Sequence, residues 1–146
     1  MCGISVIFGK NSSEFKNING LVNDLKHRGP DDMTIKKISP NLIFGHNRLK
    51  IVDLSDKANQ PFSYKNVSLL FNGMIYNYIE LKKEISSKDY RFQTDCDTEV
   101  ILAAYLKWGE NCFKKLTGMF SIVLWDNRKK KLFCVRDRLG IKPLYY

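Results

Sequence analysis

No two cysteines stand in a C-x-x-C pair, and the two histidines, His27 and His46, are not near a cysteine in the chain. Zinc-ligand spacing is therefore missing, and no metal is expected. No run approaches the ~20 apolar residues a membrane helix needs. The apolar stretch from Ile4 to Phe8 is too short for a secretory signal. There is no Gly-rich phosphate loop of the G-x-x-x-x-G-K or S-G-G type, so no cofactor is expected on this chain itself. The four cysteines, at 2, 96, 112 and 134, are expected to be free thiols in a reducing cytoplasm.

What is present suits one folded domain over residues 2–146. The 146 residues are 44% hydrophobic and 12% aromatic, enough for a real core. A chain of this length buries roughly 70% of the surface its unfolded form exposes. Basic residues outnumber acidic ones 24 to 15, for a net charge of +9. The positive charges are scattered. Their densest run, Arg128 to Lys131, falls between two strand-like segments and reads as a solvated hairpin turn. Neither nucleic acid nor membrane is expected as a partner. A basic nucleic-acid-binding module is a remote alternative carried by net charge alone.

Periodicity predicts the elements. Residues 3–8 read as a buried strand. Phe15, Ile18, Leu21, Val22 and Leu25 fall at helical spacing, with Asn11 and Glu14 as a capping pair and a stop near Gly29-Pro30. Strands are predicted at 34–38 and 42–46, joined through Ser39-Pro40-Asn41, and at 67–72. Helices follow over 77–86 and about 98–108. The second is capped by Asp97 and ended by Gly109. A hairpin is predicted over 119–125 and 132–136, turning at Asp126-Asn127. Residues 141–146 read as the start of a further strand, which suggests a truncated chain. The order points to an α+β, layered arrangement with antiparallel sheets.

Three places could carry chemistry. Met1-Cys2-Gly3 is the first. Removal of Met1 would leave Cys2 with a free α-amine beside its own thiol. Such an amine titrates at about 7.7–8.0 and a thiol at about 8.5 in unperturbed form, so the amine can take the thiol proton. The second is Asn72-Gly73, a side-chain amide and a backbone N–H able to meet one oxyanion; by itself the dipeptide reads first as a common turn. The third is the pair Arg48 and Asp97, which suits the carboxylate and ammonium of a free amino acid. Arg48 follows a strand and is expected to be partly buried. Asp97 alone reads as a helix cap.

These residues sit in longer strings: MCGI at 1–4, HRGPDD at 27–32, RLKIVDLS at 48–55, QPF at 60–62, NGMIYN at 72–77, TDCDTEVIL at 94–102 and RDRLGIKPLYY at 136–146. Together and in this order they resemble the class II (Ntn-type) glutamine amidotransferase domain of asparagine synthetase. The resemblance implies a four-layer αββα sandwich of two antiparallel sheets between helices. It implies that Cys2 is the nucleophile and that Asn72 and Gly73 form the oxyanion hole. It further implies that Arg48 holds the glutamine carboxylate, that Leu49, Ile51 and Val52 shape the pocket through backbone contacts, and that Asp97 meets the substrate amine. Glutamine is the implied substrate, and a synthetase domain the implied partner. ATP and magnesium would belong to that domain, which these residues lack.

One position departs from the resemblance. The family typically has NGEIYN, and here Met74 replaces the Glu in a pocket-lining place. A thioether is a weak acceptor, so weaker glutamine binding or a shifted donor is expected, at a cost of about 1–3 kcal/mol. Met74 and the abrupt end also raise a second reading, a degenerate and non-catalytic gene fragment.

Overall fold

A computed structural model of the chain describes residues 2–9, 12–85 and 90–146. Among them are seven strands. β1 (Gly3–Phe8), β2 (Asp32–Ser39) and β3 (Leu42–Arg48) form one sheet in the order β1-β3-β2. β4 (Phe62–Tyr64), β5 (Val67–Ile75), β6 (Gly118–Asp126) and β7 (Lys131–Arg136) form the other, in the order β4-β5-β6-β7. Every pairing is antiparallel. The helices are α1 (Ile18–Asp24), α2 (Tyr78–Glu84), α3 (Asp97–Trp108) and α4 (Cys112–Lys115).

Alternation along the strands fixes the layers, because successive side chains point to opposite faces. On β3, Ile43 meets Ile18 and Val22 of α1. Gly45 faces the same way; a Cβ there would come within 2.3 Å of Val22 Cγ2, so α1 lies close over the sheet. Leu42 and Phe44, on the other face, pack against Leu70, Val123 and Trp125 of the second sheet. The second sheet turns Leu69, Phe71, Phe120, Ile122 and Leu124 outward onto α2 and α3. The result is helix, sheet, sheet, helix: the four-layer αββα sandwich.

Most predicted elements are present, with some changed bounds. β2 and β3 run longer than expected at the site end, and the short edge strand β4 was not foreseen. The helix expected over 77–86 is α2, which ends at Glu84. The first helical stretch is mixed: a 3-10 segment over Ser12–Asn17 leads into α1. The capping expectation at Asn11 lies outside the described residues. The basic run Arg128 to Lys131 does turn a hairpin, with Arg128 N and Lys129 N donating to Asp126 Oδ1.

Two expectations need correcting. Asp97 does not cap α3. Cys96 occupies the cap position, and Asp97 is the first helical residue with its carboxylate committed elsewhere. Residues 141–146 form no strand. The Asp137 carboxylate gathers Ile141 N, Lys142 N and Phe120 N at 2.8, 2.8 and 3.2 Å, and Arg136 donates to Lys142 O and Gly140 O. Those side-chain bonds take the backbone groups a ladder would have used. Apolar composition alone did not distinguish such a strapped segment from a strand.

Candidate active site

Cys2 lies one residue ahead of β1, and three contacts hold it, one of them its Sγ–H donating to Leu49 O at 3.8 Å. Arg28 Nε donates to Cys2 O at 3.2 Å. Leu49 N donates to Cys2 Sγ at 3.4 Å. The HRGPDD string therefore has a structural meaning. Gly29 passes so near β3 that a Cβ would meet Asn47 C and O at 2.4 Å. Asp31 N donates to Arg48 O at 3.0 Å, and Asp31 Oδ2 accepts from Lys50 N at 2.8 Å. The string straps the start of the chain against the end of β3.

Arg48 closes β3 and is 5% exposed. Its Nη1 donates to Ser55 O at 2.8 Å and to Asn59 Oδ1, and its Nη2 donates to Asp53 O. The guanidinium thereby shapes the loop between β3 and β4. A guanidinium has five N–H donors; among the described residues three are engaged, which leaves two of the five.

β5 and β6 bring the opposite wall. Asn72 is buried and lines the cavity, and its Oδ1 is fully enclosed with no hydrogen-bond partner among the described residues. At Gly73 (φ 156°) a Cβ would come within 2.1 Å of Met119 O. Only glycine allows β5 this approach to β6. Met74 pairs across the strands with Met119, and both line the cavity.

α3 contributes its first turn. Asp97 is 3% exposed, and its Oδ2 accepts from Ile75 N at 3.0 Å. Burial raises its pKa against the pull of that amide. Cys96, beside it, donates to Thr98 Oγ1 and Asp97 Oδ1. Burial, then the nearby Asp97 charge, push its thiol up to about 11. A thiol so protonated is a poor nucleophile.

All nine residues expected at the site meet in one cavity of about 230 Å³: Cys2, Arg48, Leu49, Ile51, Val52, Asn72, Gly73, Met74 and Asp97. That is smaller than the ~300–1,000 Å³ of drug-sized pockets and suits one small amino acid. Sequence reading missed the roles of Gln60, Thr98 and Met119. Gln60 Oε1 accepts from Phe71 N at 2.6 Å and its Nε2 donates to Phe71 O at 3.2 Å, which continues the sheet by a side chain. The QPF string was visible, but nothing local announced that clamp. Met119 could have been found by pairing the strand of NGM with that of GMF. Among the described residues no group of three or more His, Cys, Asp or Glu could hold a metal ion. Among them, too, no helix is long and apolar enough to cross a membrane.

An αββα sandwich with a thiol, an amide and a guanidinium at one end of its paired sheets defines a class, the glutamine amidotransferases. The chain belongs to the glutamine amidotransferase domain family, whose model matches residues 1–146. It is 41% identical to a putative glutamine-hydrolysing asparagine synthetase 2 of Methanocaldococcus jannaschii, covering all of this chain and 32% of that protein. It is 40% identical to the glutamine-hydrolysing asparagine synthetase 1 of Bacillus subtilis, covering all of this chain and 24% of that protein. The chain thus spans about a quarter to a third of the length of these relatives. Among solved structures, the glutamine phosphoribosylpyrophosphate amidotransferase of B. subtilis superposes with a TM-score of 0.59 at 24% identity, over 72% of this chain and 25% of that one. At that identity the likeness concerns the fold.

Proposed function

We propose that this chain hydrolyses the side-chain amide of glutamine at Cys2 and releases ammonia. The carrying observation is the shared cavity: Cys2 Sγ, fixed by Leu49 N–H at 3.4 Å, faces the same small space as Asn72 and Gly73. The thiol attacks the amide carbon. Negative charge gathers on the former carbonyl oxygen, where the Asn72 Nδ2–H and Gly73 N–H donate to it. With Met1 removed, the α-amine of Cys2 takes the thiol proton and returns it to the leaving nitrogen. Water then hydrolyses the thioester to glutamate.

Arg48 and Asp97 orient the substrate. The two free donors of Arg48 take the α-carboxylate, and Asp97 takes the α-ammonium. In the intact protein the ammonia would feed an ATP-dependent amidation of aspartate or a related acceptor in a synthetase domain. The support for this is the naming of the relatives and their greater length. Glutamate release from glutamine by the chain and by Cys2→Ala tests the reading. The variant should lose release. If it kept release at the unmodified rate, the assignment of Cys2 would fall.

A further inference from the structure

The space between the sheets is built in four rungs. β1 contributes Phe8, Val6 and Ile4, opposite Leu42, Phe44 and His46 of β3, and Cys2 and Arg48 extend the series. β5 contributes Ser68, Leu70, Asn72 and Met74, opposite Trp125, Val123, Ser121 and Met119 of β6. The ends of the ladder are tied. Phe8 and Trp125 have ring centroids 6.1 Å apart, and Cys2, Arg48, Met74 and Met119 share the cavity. The rung next to the cavity therefore holds Ile4, His46, Asn72 and Ser121.

That rung is unlike the two beneath it. His46 and Ser121 are fully buried and Asn72 is 5% exposed. Among the described residues, His46 Nδ1 and Nε2, Asn72 Oδ1 and Ser121 Oγ have no hydrogen-bond partner. Buried polar atoms rarely go unpaired, and several in one layer call for a common explanation. Trp125 Nε1 and both side-chain atoms of Asn47 are also unpaired, but Trp125 is two rungs away and Asn47 faces α1.

Resting on the glutaminase reading, we propose that His46 and Ser121 are positioning residues. Through hydrogen bonds closed by an internal water, they hold Asn72 with Oδ1 inward and Nδ2 towards the oxyanion. An Asn side chain has an acceptor end and a donor end of nearly the same shape. Catalysis needs the donor end in the cavity, and a flipped amide would aim a carbonyl at developing negative charge. Donors to Oδ1 from behind prevent the flip. The Ser121 hydroxyl sits across from Asn72 in register; the two make no direct bond, so its donation reaches Oδ1 through the water. A neutral imidazole has one donor and one acceptor, which lets it complete the set through a water that typically makes about three bonds. Burial, then the Arg48 charge, lower the His46 pKa to about 3, so the ring stays neutral at working pH.

The test compares Ser121→Ala, His46→Phe and His46→Gln with the unmodified chain. Steady-state hydrolysis should show kcat lowered roughly tenfold or more by the first two, with KM within about twofold. His46→Gln keeps a donor and an acceptor and should recover part of the loss. Alkylation of Cys2 by iodoacetamide needs no oxyanion hole, so its rate should not move. Nitrogen NMR of the labelled chain gives a readout apart from activity. With only two histidines present, His46 should show a single neutral tautomer, and Ser121→Ala should displace the Asn72 side-chain amide resonances, identified by their loss in Asn72→Ala. An unchanged kcat in both Ser121→Ala and His46→Phe would overturn the proposal, as would Asn72 resonances indifferent to Ser121. If the unmodified chain releases no glutamate, the function reading fails, while the NMR arm still decides whether these residues hold the amide.

Discussion

The two halves of the inter-sheet space use the same four strands in one unbroken register, yet they do opposite things. The half towards Trp125 is filled with Leu42, Phe44, Leu70 and Val123, all nearly inaccessible. The half towards Cys2 carries His46, Arg48, Asn72 and Ser121, and opens into the cavity. The apolar half gains from area removed from water and has little directional demand. The polar half costs desolvation at every group, and that cost is met only where partners are aimed. Side chains of one strand thus serve stability at one end and chemistry at the other.

Substitutions that act on one half alone sharpen the contrast. The largest effect is expected from Cys2→Ala, which should reduce glutamine turnover by at least ~10⁴-fold. It should leave the urea midpoint nearly unmoved, and the two assays together check both halves of the statement. Phe44→Ala acts on the other half. Emptying that rung should cost about 3–5 kcal/mol in urea unfolding. KM for glutamine should change little in whatever fraction stays folded.

Acid should also act through the polar half. The folded-state pKa of His46 lies near 3, against 6.5 for the ordinary side chain. The unfolded chain therefore binds more protons between those values. Stability should be level in this respect above about pH 6.5 and fall as pH drops towards 3, by on the order of 5 kcal/mol in total. Asp97 works the opposite way, because burial raises its pKa and favours its protonated form. Urea midpoints across pH 4 to 8 read the sum, and His46→Phe should flatten the slope. A smaller effect is expected from Met74→Glu. It would place a carboxylate acceptor on the cavity wall and should lower KM for glutamine by a factor matching about 1–2 kcal/mol. A KM that rose would show that Met74 suits a different donor.

The same contrast explains what the sequence disclosed. Layering was legible coarsely from the order of strands and helices and in full only through the resemblance, and α3 because its stripe is bracketed by Asp97 and Gly109. The site residues were legible through long strings, not through any residue alone. What stayed hidden depends on distant neighbours. Asp97 looked like a cap because its partner, Ile75 N, is 22 positions back. Gln60 gave no sign that it would imitate a strand beside Phe71. Residues 141–146 looked like a strand because composition does not reveal the Asp137 carboxylate that gathers their amides. His46 passed as an ordinary strand residue until its full burial with both ring nitrogens unpartnered set it apart.

Mass spectrometry of the purified chain after brief exposure to glutamine and acid quench addresses the nucleophile itself. Hydrolysis through Cys2 predicts active material that lacks Met1 and carries a glutamyl thioester on the peptide beginning at Cys2. Active material that retains Met1, or an adduct on another residue, would contradict the account.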